Sequence, residues 1–479
     1  MVVSPGIFTA ISTALGATRS PTGHRRFTPL RLLAISFLAL ITLGTALLVL
    51  PAAQRNTPVG WLDCLFTATS AATVTGLVTQ STAESWTLFG QLVILVLIQI
   101  GGLGYMTLAT VIAMRIGLRV GLQQHLRLSD ARGVFSLRDI LRVARYIVLA
   151  TLGVEAVGAL LLTLRFHYAH GADWATALYH GCFYSVSAFC NAGFDLSARF
   201  TSLQAPIYRE DLWLLVILGV LIILGGLGFG VLAEVVTLRR ARRVSLHCTL
   251  VLLATLALML LGWGHMLLFE GQNPLTLGGM TTPQRITNAW FMAVTPRTAG
   301  FTTVDMTRVT PPTLFVTGLL MIVGASPDST GGGVKTTTLV IILLAMVTLM
   351  RRRSDIEFFG RRIPGELVRL ALSLVSVYLV AILVLVLGIS ITEGVHPGNG
   401  PLTEHTLTRF VHLLFELLSA LGTGGLSTSI TPTLTTASRV LLVVAMLLGR
   451  LGPLTFVYVV ARPKRRQLRR LPTETVMAG

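Results

Sequence analysis

The sequence predicts an all-α polytopic membrane protein. Four repeats of spanning helix, re-entrant half-helix, loop and spanning helix give eight spanning helices and four half-helices around one axis. Three observations predict it. The first is composition: of 479 residues, 53% are hydrophobic and only 12% charged, and the mean hydropathy is +0.75. Soluble domains carry about 25% charged residues. Runs 32–50, 86–114, 212–233 and 370–391 hold no charge at all, and each reaches the ~18–20 residues that cross a bilayer.

The second observation is where the charge lies. Segments 1–31, 115–145, 234–247, 351–369 and 462–479 hold 27 Arg/Lys and 7 Asp/Glu, whereas the alternate connections 51–85, 165–211, 265–312 and 392–439 hold 9 and 11. This is the positive-inside asymmetry. It places both termini on the cytoplasmic side of a multi-pass plasma-membrane protein. The net charge of +18 then needs no nucleic-acid partner, and the lipid bilayer is the surroundings it implies.

The third observation is a fourfold internal repeat centred on Gly76, Gly193, Gly300 and Gly425, spaced 117, 107 and 125 residues apart. Ten residues before each glycine stands an aromatic ring (Phe66, Phe183, Trp290, Phe415). Six before stand Ser70, Ser187, Val294 and Ser419, and five before stand Ala71, Ala188, Thr295 and Ala420. A large apolar residue follows each glycine: Leu77, Phe194, Phe301 and Leu426.

In chain order, 1–31 is a cytoplasmic segment and 32–114 is repeat one. Its first helix, near 32–50, is stopped by Pro51 and followed by no small-residue cleavage site, so it reads as a retained helix and not a signal peptide. The half-helix 61–72 is too short to span, and 86–114 returns. The basic loop 115–145 leads to repeat two (146–238), with helices near 146–166 and 212–236 around half-helix 174–189. Repeat three (247–350) has a helix near 248–269, a half-helix near 283–295 and a return helix broken into 313–323 and 341–349. Repeat four (366–461) places helices 367–391 and 438–461 around 404–421, and 462–479 is a basic cytoplasmic C-terminus.

Non-helical backbone at membrane depth is tolerated only where protein or a water-filled cavity surrounds it. Four such loops meet that condition together by converging on one central pore, where a ring of backbone carbonyls can replace the hydration shell of a small cation. Glycine at the centre of each loop keeps a β-carbon out of the passage.

The copies also differ. Gly101-Gly102-Leu103-Gly104 matches Gly225-Gly226-Leu227-Gly228, both reading as close helix packing, and Gly449-Arg450-Leu451-Gly452-Pro453 puts an arginine into the same pattern. An arginine in an uncharged stretch faces a cavity or a partner, and Glu155 is the acid within a helix able to pair with it. The break in repeat three, 324–338, holds Gly324, Ser326, Pro327, Asp328, Gly331, Gly332, Gly333 and Lys335. Proline and four glycines do not propagate a helix, so this reads as a flexible loop below the four loops, a gate. A phosphate-binding reading fails on the glycine-lysine spacing.

An intramembrane enzyme would need acid, base or nucleophile groups together. Glu155, His265 and Arg450 come from three repeats without pairing, which points away from catalysis. The four cysteines (Cys64, Cys182, Cys190, Cys248) show neither metal-ligand nor disulfide spacing and read as small buried residues.

Over about 30–460 these motifs resemble the Trk/Ktr/HKT superfamily of potassium transporters. The four loops are similar to its selectivity filter, 326–338 to its intramembrane gating loop, and 449–453 to a last-helix motif whose arginine faces the pore. The resemblance implies potassium uptake through a channel-like pore. Its filter would comprise Thr73, Val74, Thr75 and Gly76; Cys190, Asn191, Ala192 and Gly193; Arg297, Thr298, Ala299 and Gly300; and Gly422, Thr423, Gly424 and Gly425. Gly324–Lys335 and Arg450 would form the gate.

The helix count and the Arg297–Phe301 loop look closest to the Ktr-type pore subunit. That implies a homodimer on a ring of cytosolic nucleotide-binding regulatory subunits. Asp328 stands where glycine is usual, and Gly424 where a bulkier residue is commoner. Serine at the first filter glycine goes with sodium permeation in this superfamily, so Gly76 favours K+. Na+ as a coupling or activating ion, or a sodium or mixed transporter, is the alternative.

Overall fold

The computed structural model describes residues 29–55, 58–115, 137–197, 202–237, 244–353, 355–395 and 404–452. The expected segments 1–28, 116–136 and 453–479, Pro453 among them, lie outside the described residues. Among the described residues, fourteen principal helices and one hairpin carry the fold. Repeat one comprises α1 (Pro29–Val49), α2 (Trp61–Thr73) and α3 (Leu88–Arg115), and repeat two α4 (Leu137–His170), α5 (Trp174–Phe189), α6 (Leu212–Leu227) and α7 (Phe229–Thr237). Repeat three has α8 (Leu246–Glu270), α9 (Thr282–Val294), α10 (Pro311–Ile322) and α11 (Thr336–Met350). A hairpin, β1 (Ile356–Phe358) and β2 (Arg361–Ile363), precedes α12 (Gly365–Thr392), α13 (Glu404–Gly422) and α14 (Thr436–Leu451) of repeat four.

Among the described residues, Ala144–His170, Leu246–Glu270 and Gly365–Thr392 are long and apolar enough to cross a bilayer. A bent pair, Leu212–Leu227 with Phe229–Val236, adds a fourth if counted as one span, and Ala34–Val49, Leu88–Gly104, Pro311–Ile322 and Thr336–Met350 are shorter apolar helices. Side chains are distributed as a bilayer demands. Leu149, Leu152, Val157 and Leu160 on α4 and Leu379, Val380, Leu383 and Val384 on α12 are exposed, while Thr67, Thr69, Ser70, Thr73 and Thr75 are buried.

In every repeat the first helix packs on its short helix and on its return helix. Each return helix then packs on the next short helix: α3 on α5, α6 on α9, α10 on α13, and α14 back on α2. The order closes on itself. Each seam has its own buried apolar cluster, bolted by the large residue that follows a ring glycine. Phe194 sits with Ala68 and Leu97 between repeats one and two, and Phe301 with Tyr184 and Leu218 between two and three. Leu426 sits with Met292 and Leu314 between three and four, and Leu77 with Leu417 and Leu442 between four and one.

The start of each return helix is tied to the end of the first helix by different chemistry. Glu270, ending α8, accepts hydrogen bonds from the Thr310 N–H and Oγ1, both at 2.8 Å, and from Thr313 Oγ1 at 2.6 Å. Glu393, just past α12, accepts the Thr435 N–H at 2.8 Å and pairs with Arg409 at 2.8 Å. In repeat two the polarity is inverted: Asp211 caps α6 through the Leu214 N–H (3.1 Å) and receives Arg165 Nε (2.7 Å) and His170 Nε2 (2.8 Å) from α4. Repeat one uses backbone and hydroxyl, Thr87 donating to the Ala53 carbonyl at 3.0 Å and to the Ala52 carbonyl at 2.6 Å.

Two expectations change here. The return helix of repeat two, expected as one rod over 212–236, breaks at Gly228 (φ +87°) with a bend of 105°, so the break in repeat three is not the only one. Cys182 is exposed; Cys64, Cys190 and Cys248 are buried as expected.

Asp211 makes the repeat-two tie testable. Burial raises its pKa, but the bonds from His170, Arg165 and the Leu214 N–H outweigh that and hold it below the usual carboxylate range. A carboxylate with a depressed folded pKa stabilises fully above its unfolded value of about 4, and the contribution fades as pH falls through the folded value. Asp211→Ala is expected to cost about 2 kcal/mol at pH 7, read as an earlier denaturant midpoint of the purified protein; an unchanged midpoint would contradict this account.

Candidate functional site

The four short helices end alike. In all four repeats the residue two before the glycine takes left-handed backbone: Val74 (φ +58°), Asn191 (+60°), Thr298 (+71°) and Thr423 (+50°). In repeats one, two and four the N–H of that residue reaches the carbonyl of Ala71, Ala188 or Ala420 at 3.1–3.2 Å, and the next N–H reaches the carbonyl of Ser70, Ser187 or Ser419 at 2.7–2.8 Å. These are the paired bonds of a Schellman ending, whose left-handed residue is normally glycine. A β-branched residue such as Val74 there is a genuine outlier, strained by about 1–2 kcal/mol.

Repeat three is one residue shorter. Ala299 N–H bonds the Thr295 carbonyl at 2.9 Å, and Thr295 Oγ1 donates to the Phe301 carbonyl as Ser187 Oγ does to Phe194. Phe291, fully buried, takes the place of the aromatic ring, and Trp290 is only partly buried. The offsets assigned to Trp290 and Val294 in the sequence are therefore corrected to Phe291 and Thr295.

Beyond these caps the backbones of all four loops meet. Gly76, Gly193, Gly300 and Gly425 have φ of +92°, +70°, +77° and +77°. With the left-handed residue two before, positive φ recurs at every second position. This breaks the side-to-side alternation of an extended strand, which is the condition for successive carbonyls to face one axis. A β-carbon on Gly76 would stand 2.6 Å from the Ala192 carbonyl oxygen, one on Gly193 2.8 Å from that of Ala299, and one on Gly300 3.5 Å from that of Gly424. One on Gly425 would strike the Thr75 carbonyl. Each glycine thus faces the carbonyl of the next repeat, and the cycle closes from Gly425 to Thr75.

On one side of the ring lies a cavity lined by the four glycines and by residues that follow them, among them Phe194, Asp195, Thr302 and Ser427. Asp195 is the one charged residue in this described lining. Its carboxylate accepts the Ser197 N–H at 2.8 Å, and burial pushes its pKa up to about 6.

On the other side sits 323–335, shorter than the expected 324–338 because α11 already starts at Thr336, touching residues that precede the glycines. Gly332 N–H donates to Thr423 Oγ1 at 3.0 Å, Thr330 Oγ1 donates to the Phe189 carbonyl at 3.2 Å, and Gly331 lies against Thr298. The loop also fills the break in repeat two. The carbonyls of Gly225 and Gly226 accept from the N–H of Thr330 (3.2 Å) and Ser326 (3.0 Å), and the Asp328 carbonyl accepts the Phe229 N–H at 3.2 Å. Asp328 adopts φ +55°, a glycine-like conformation that aspartate tolerates. Ser326, Ser329 and Thr330 are wholly buried, and Lys335 Nζ donates to the Gly331 carbonyl at 2.6 Å. The stretch expected to be flexible is hydrogen-bonded into place.

Arg450, 1% exposed, donates through Nη1 to the Thr330 carbonyl and through Nη2 to the Gly101 carbonyl at 2.7 Å. It therefore links the loop to repeat one. Glu155, set against it in the sequence, accepts Gln99 Nε2 at 2.9 Å and lies 3.7 Å from the Cys190 thiol. His265 meets Thr317 Oγ1 at 3.5 Å, so the three groups weighed for catalysis face different partners. Arg297 is buried, its Nε without a hydrogen-bond partner, and its carbonyl accepts Asn191 Nδ2 at 3.2 Å. Gly449 packs on the Leu421 carbonyl as Gly101 does on Ala72 and Gly225 on Phe189, the close approach expected of these motifs.

Sequence reasoning missed Asp195, Gln99 and Glu416. Buried Glu416 accepts Ser427 Oγ (2.7 Å), the Thr428 N–H (2.8 Å) and Thr431 Oγ1 (2.7 Å), clamping the segment after Gly425. An acid nine residues before Gly425 followed by a run of hydroxyls was the available signal.

Comparison with known proteins gives the family. The TrkH family model, described as a cation transport protein, matches residues 7–467. The chain is 36% identical to the Ktr system potassium uptake protein B of Bacillus subtilis (strain 168), over 95% of this chain and 97% of that protein. It is 35% identical to the potassium/sodium uptake protein NtpJ of Enterococcus hirae, over 95% and 98%. Among solved structures, the potassium transporter TrkH from Vibrio parahaemolyticus shares the fold with a TM-score of 0.71, covering 93% of this chain and 87% of that one at 18% identity. From a match over nearly its whole length, the chain belongs to the TrkH family of cation transport proteins.

Proposed function

We propose that the chain takes up potassium across the plasma membrane through a single pore, with the four-glycine ring as its selectivity filter. The closed cycle of carbonyls against glycines carries this reading. It brings Thr73–Gly76, Cys190–Gly193, Arg297–Gly300 and Gly422–Gly425 together at the meeting point of four repeats. Each repeat contributes two membrane-crossing segments and one re-entrant helix, the return segments of repeats two and three being the broken pairs α6–α7 and α10–α11. The charge asymmetry puts both termini in the cytoplasm. The cavity holding Asp195 then opens outward and loop 323–335 faces inward. The name of the Bacillus subtilis relative, Ktr system potassium uptake protein B, supports potassium, and the word system in it supports a cytosolic regulatory subunit as partner; the homodimer rests on the Ktr-type resemblance of the filter motifs. The name of the Enterococcus hirae relative, a potassium/sodium uptake protein, supports a second reading in which sodium also passes or activates.

Asp195 draws cations into the vestibule, and shedding water into preformed carbonyls then selects among them. The loop closes the inner side of the ring. Arg450 holds Thr330 in it and places a positive charge beside the ion path. At an effective dielectric of about 20, a unit charge within roughly 4 Å shifts a cation's energy by a few kcal/mol.

The overall reading is tested by growth of potassium-uptake-deficient cells at low potassium, with and without a co-expressed cytosolic subunit; no rescue at normal protein level in either case would refute it. Arg450→Ala removes both the tether and the charge and is expected to raise rubidium uptake severalfold; reduced uptake with normal protein level would count against the gate. Gly76→Ser sets a side chain against the Ala192 carbonyl and should lower the potassium-over-sodium uptake ratio at least tenfold; an unchanged ratio removes Gly76 from the filter. Asp195 loses its charge as outside pH falls through about 6, so uptake from dilute potassium should weaken below that pH in the wild type and show no such step in Asp195→Asn. A step retained in the variant would place the titrating group elsewhere.

A further inference from the structure

The hairpin between α11 and α12 plays no part in the pore. Its strands are joined by Phe359 and Gly360, both at positive φ (+49° and +68°), the two-residue turn that follows strand twist. The register pairs Ile356 with Ile363, Glu357 with Arg362 and Phe358 with Arg361. It is seated on the body of the protein: Ile363 is buried, Arg361 Nη2 donates to the Val244 carbonyl, ahead of α8, at 3.2 Å, and β1 packs on α11. The rings of Phe358 and Phe359 meet edge to face with centroids 4.7 Å apart, which stiffens the tip.

What this leaves outward is an aromatic tip on a basic collar. Phe359 is 71% exposed, and Arg351, Arg352, Arg353, Arg361 and Arg362 are all exposed. The acids of the stretch are Asp355 and Glu357, and Asp355 is taken up by Arg362 at 2.6 Å. The depth of the hairpin follows from its neighbour. Leu349 and Met350, the last residues of apolar α11, are 79% and 82% exposed. In a membrane-embedded helix such side chains belong in hydrocarbon, so the arginines begin where hydrocarbon ends.

We propose that Arg351, Arg352, Arg353, Arg361, Arg362 and Phe359 form a binding site for anionic phospholipid headgroups of the adjoining leaflet. The arginines meet phosphate, which they fit through paired N–H donors, and Phe359 rests at the acyl boundary, where amphipathic and aromatic groups collect. The proposal rests on the membrane-embedded reading of α11. A soluble acidic protein is the other class of occupant. The protruding apolar ring and the exposed Leu349 and Met350 beside it favour lipid, since a water-facing collar would have no use for them. The site lies at the far end of α11, which begins at Thr336 directly after loop 323–335. Headgroup binding would therefore hold the cytoplasmic end of the helix that follows the loop.

The test uses the full-length protein purified from vesicles of phosphatidylcholine containing phosphatidylglycerol. The retained lipids are counted by mass spectrometry, and rubidium uptake is measured after reconstitution in phosphatidylcholine alone. The wild type should retain phosphatidylglycerol preferentially. The preference should fall roughly fivefold for each arginine neutralised in the series leading to R351Q/R352Q/R353Q, and fall also in Phe359→Ser, with basal uptake in phosphatidylcholine unchanged. Equal phosphatidylglycerol retention in the triple variant and in Phe359→Ser would overturn the proposal. So would intact lipid retention combined with lost stimulation by a cytosolic subunit, which would make the hairpin a protein-docking surface. Wild-type protein that fails to take up rubidium yet retains phosphatidylglycerol in an arginine-dependent way would remove the pore reading and leave the lipid site standing.

Discussion

Four stretches of backbone approach one another at Gly76, Gly193, Gly300 and Gly425 with no room for a β-carbon, and the rest of the molecule is arranged to make that approach possible. Backbone brought into a membrane protein's interior needs every N–H and C=O answered. Here the helix caps answer those before the glycines, while Ser187 and Thr295 answer the Phe194 and Phe301 carbonyls just after them. The left-handed residues Val74, Asn191, Thr298 and Thr423 carry the strain of this geometry, and strain of that kind persists only where surrounding structure over-determines it. The surrounding structure is the set of four seams, each locked by the apolar residue next to a glycine.

The inner side solves a different problem. A helix broken at Gly228 leaves carbonyls that lipid or a dry interior cannot satisfy. Loop 323–335 supplies the missing N–H groups from Ser326 and Thr330, and returns the Asp328 carbonyl to Phe229. The same loop takes Arg450 through Thr330. Repeats two, three and four, and through Gly101 repeat one, therefore share this one segment. Moving it would expose several polar groups together, so its positions are discrete. That is the property the proposed gate requires.

Much of this was legible in the sequence because it rests on steric exclusion and on bilayer thickness, both of which constrain residue type strongly. The glycines, the short helices and the basic segments announce themselves: α2, α5, α9 and α13 fall within one or two residues of the expected half-helices. The break at Gly228 did not, because Gly225-Gly226-Leu227-Gly228 is the same motif that α3 carries unbroken through Gly104. Only the presence of loop 323–335 as a hydrogen-bonding partner makes the break affordable. The shorter turn of repeat three was hidden in the same way: aligning on Gly300 shifted Phe291 and Thr295 by one place, and Trp290 supplied a convincing false match. Asp195 and Glu416 act through hydroxyls and N–H groups that fold back on them, a relation with no fixed sequence spacing.

The contacts around the ring all run in one sense, each repeat offering its carbonyl to the glycine of the repeat before it. The assembly therefore has a handedness that fourfold similarity alone does not give. A side chain added at one glycine displaces a carbonyl belonging to the following repeat, so the damage is inherited by a neighbour rather than kept where it arose. Compensating changes would have to lie one quarter-turn onward, and the four near-copies, however alike, could not be exchanged or reordered without breaking the circuit.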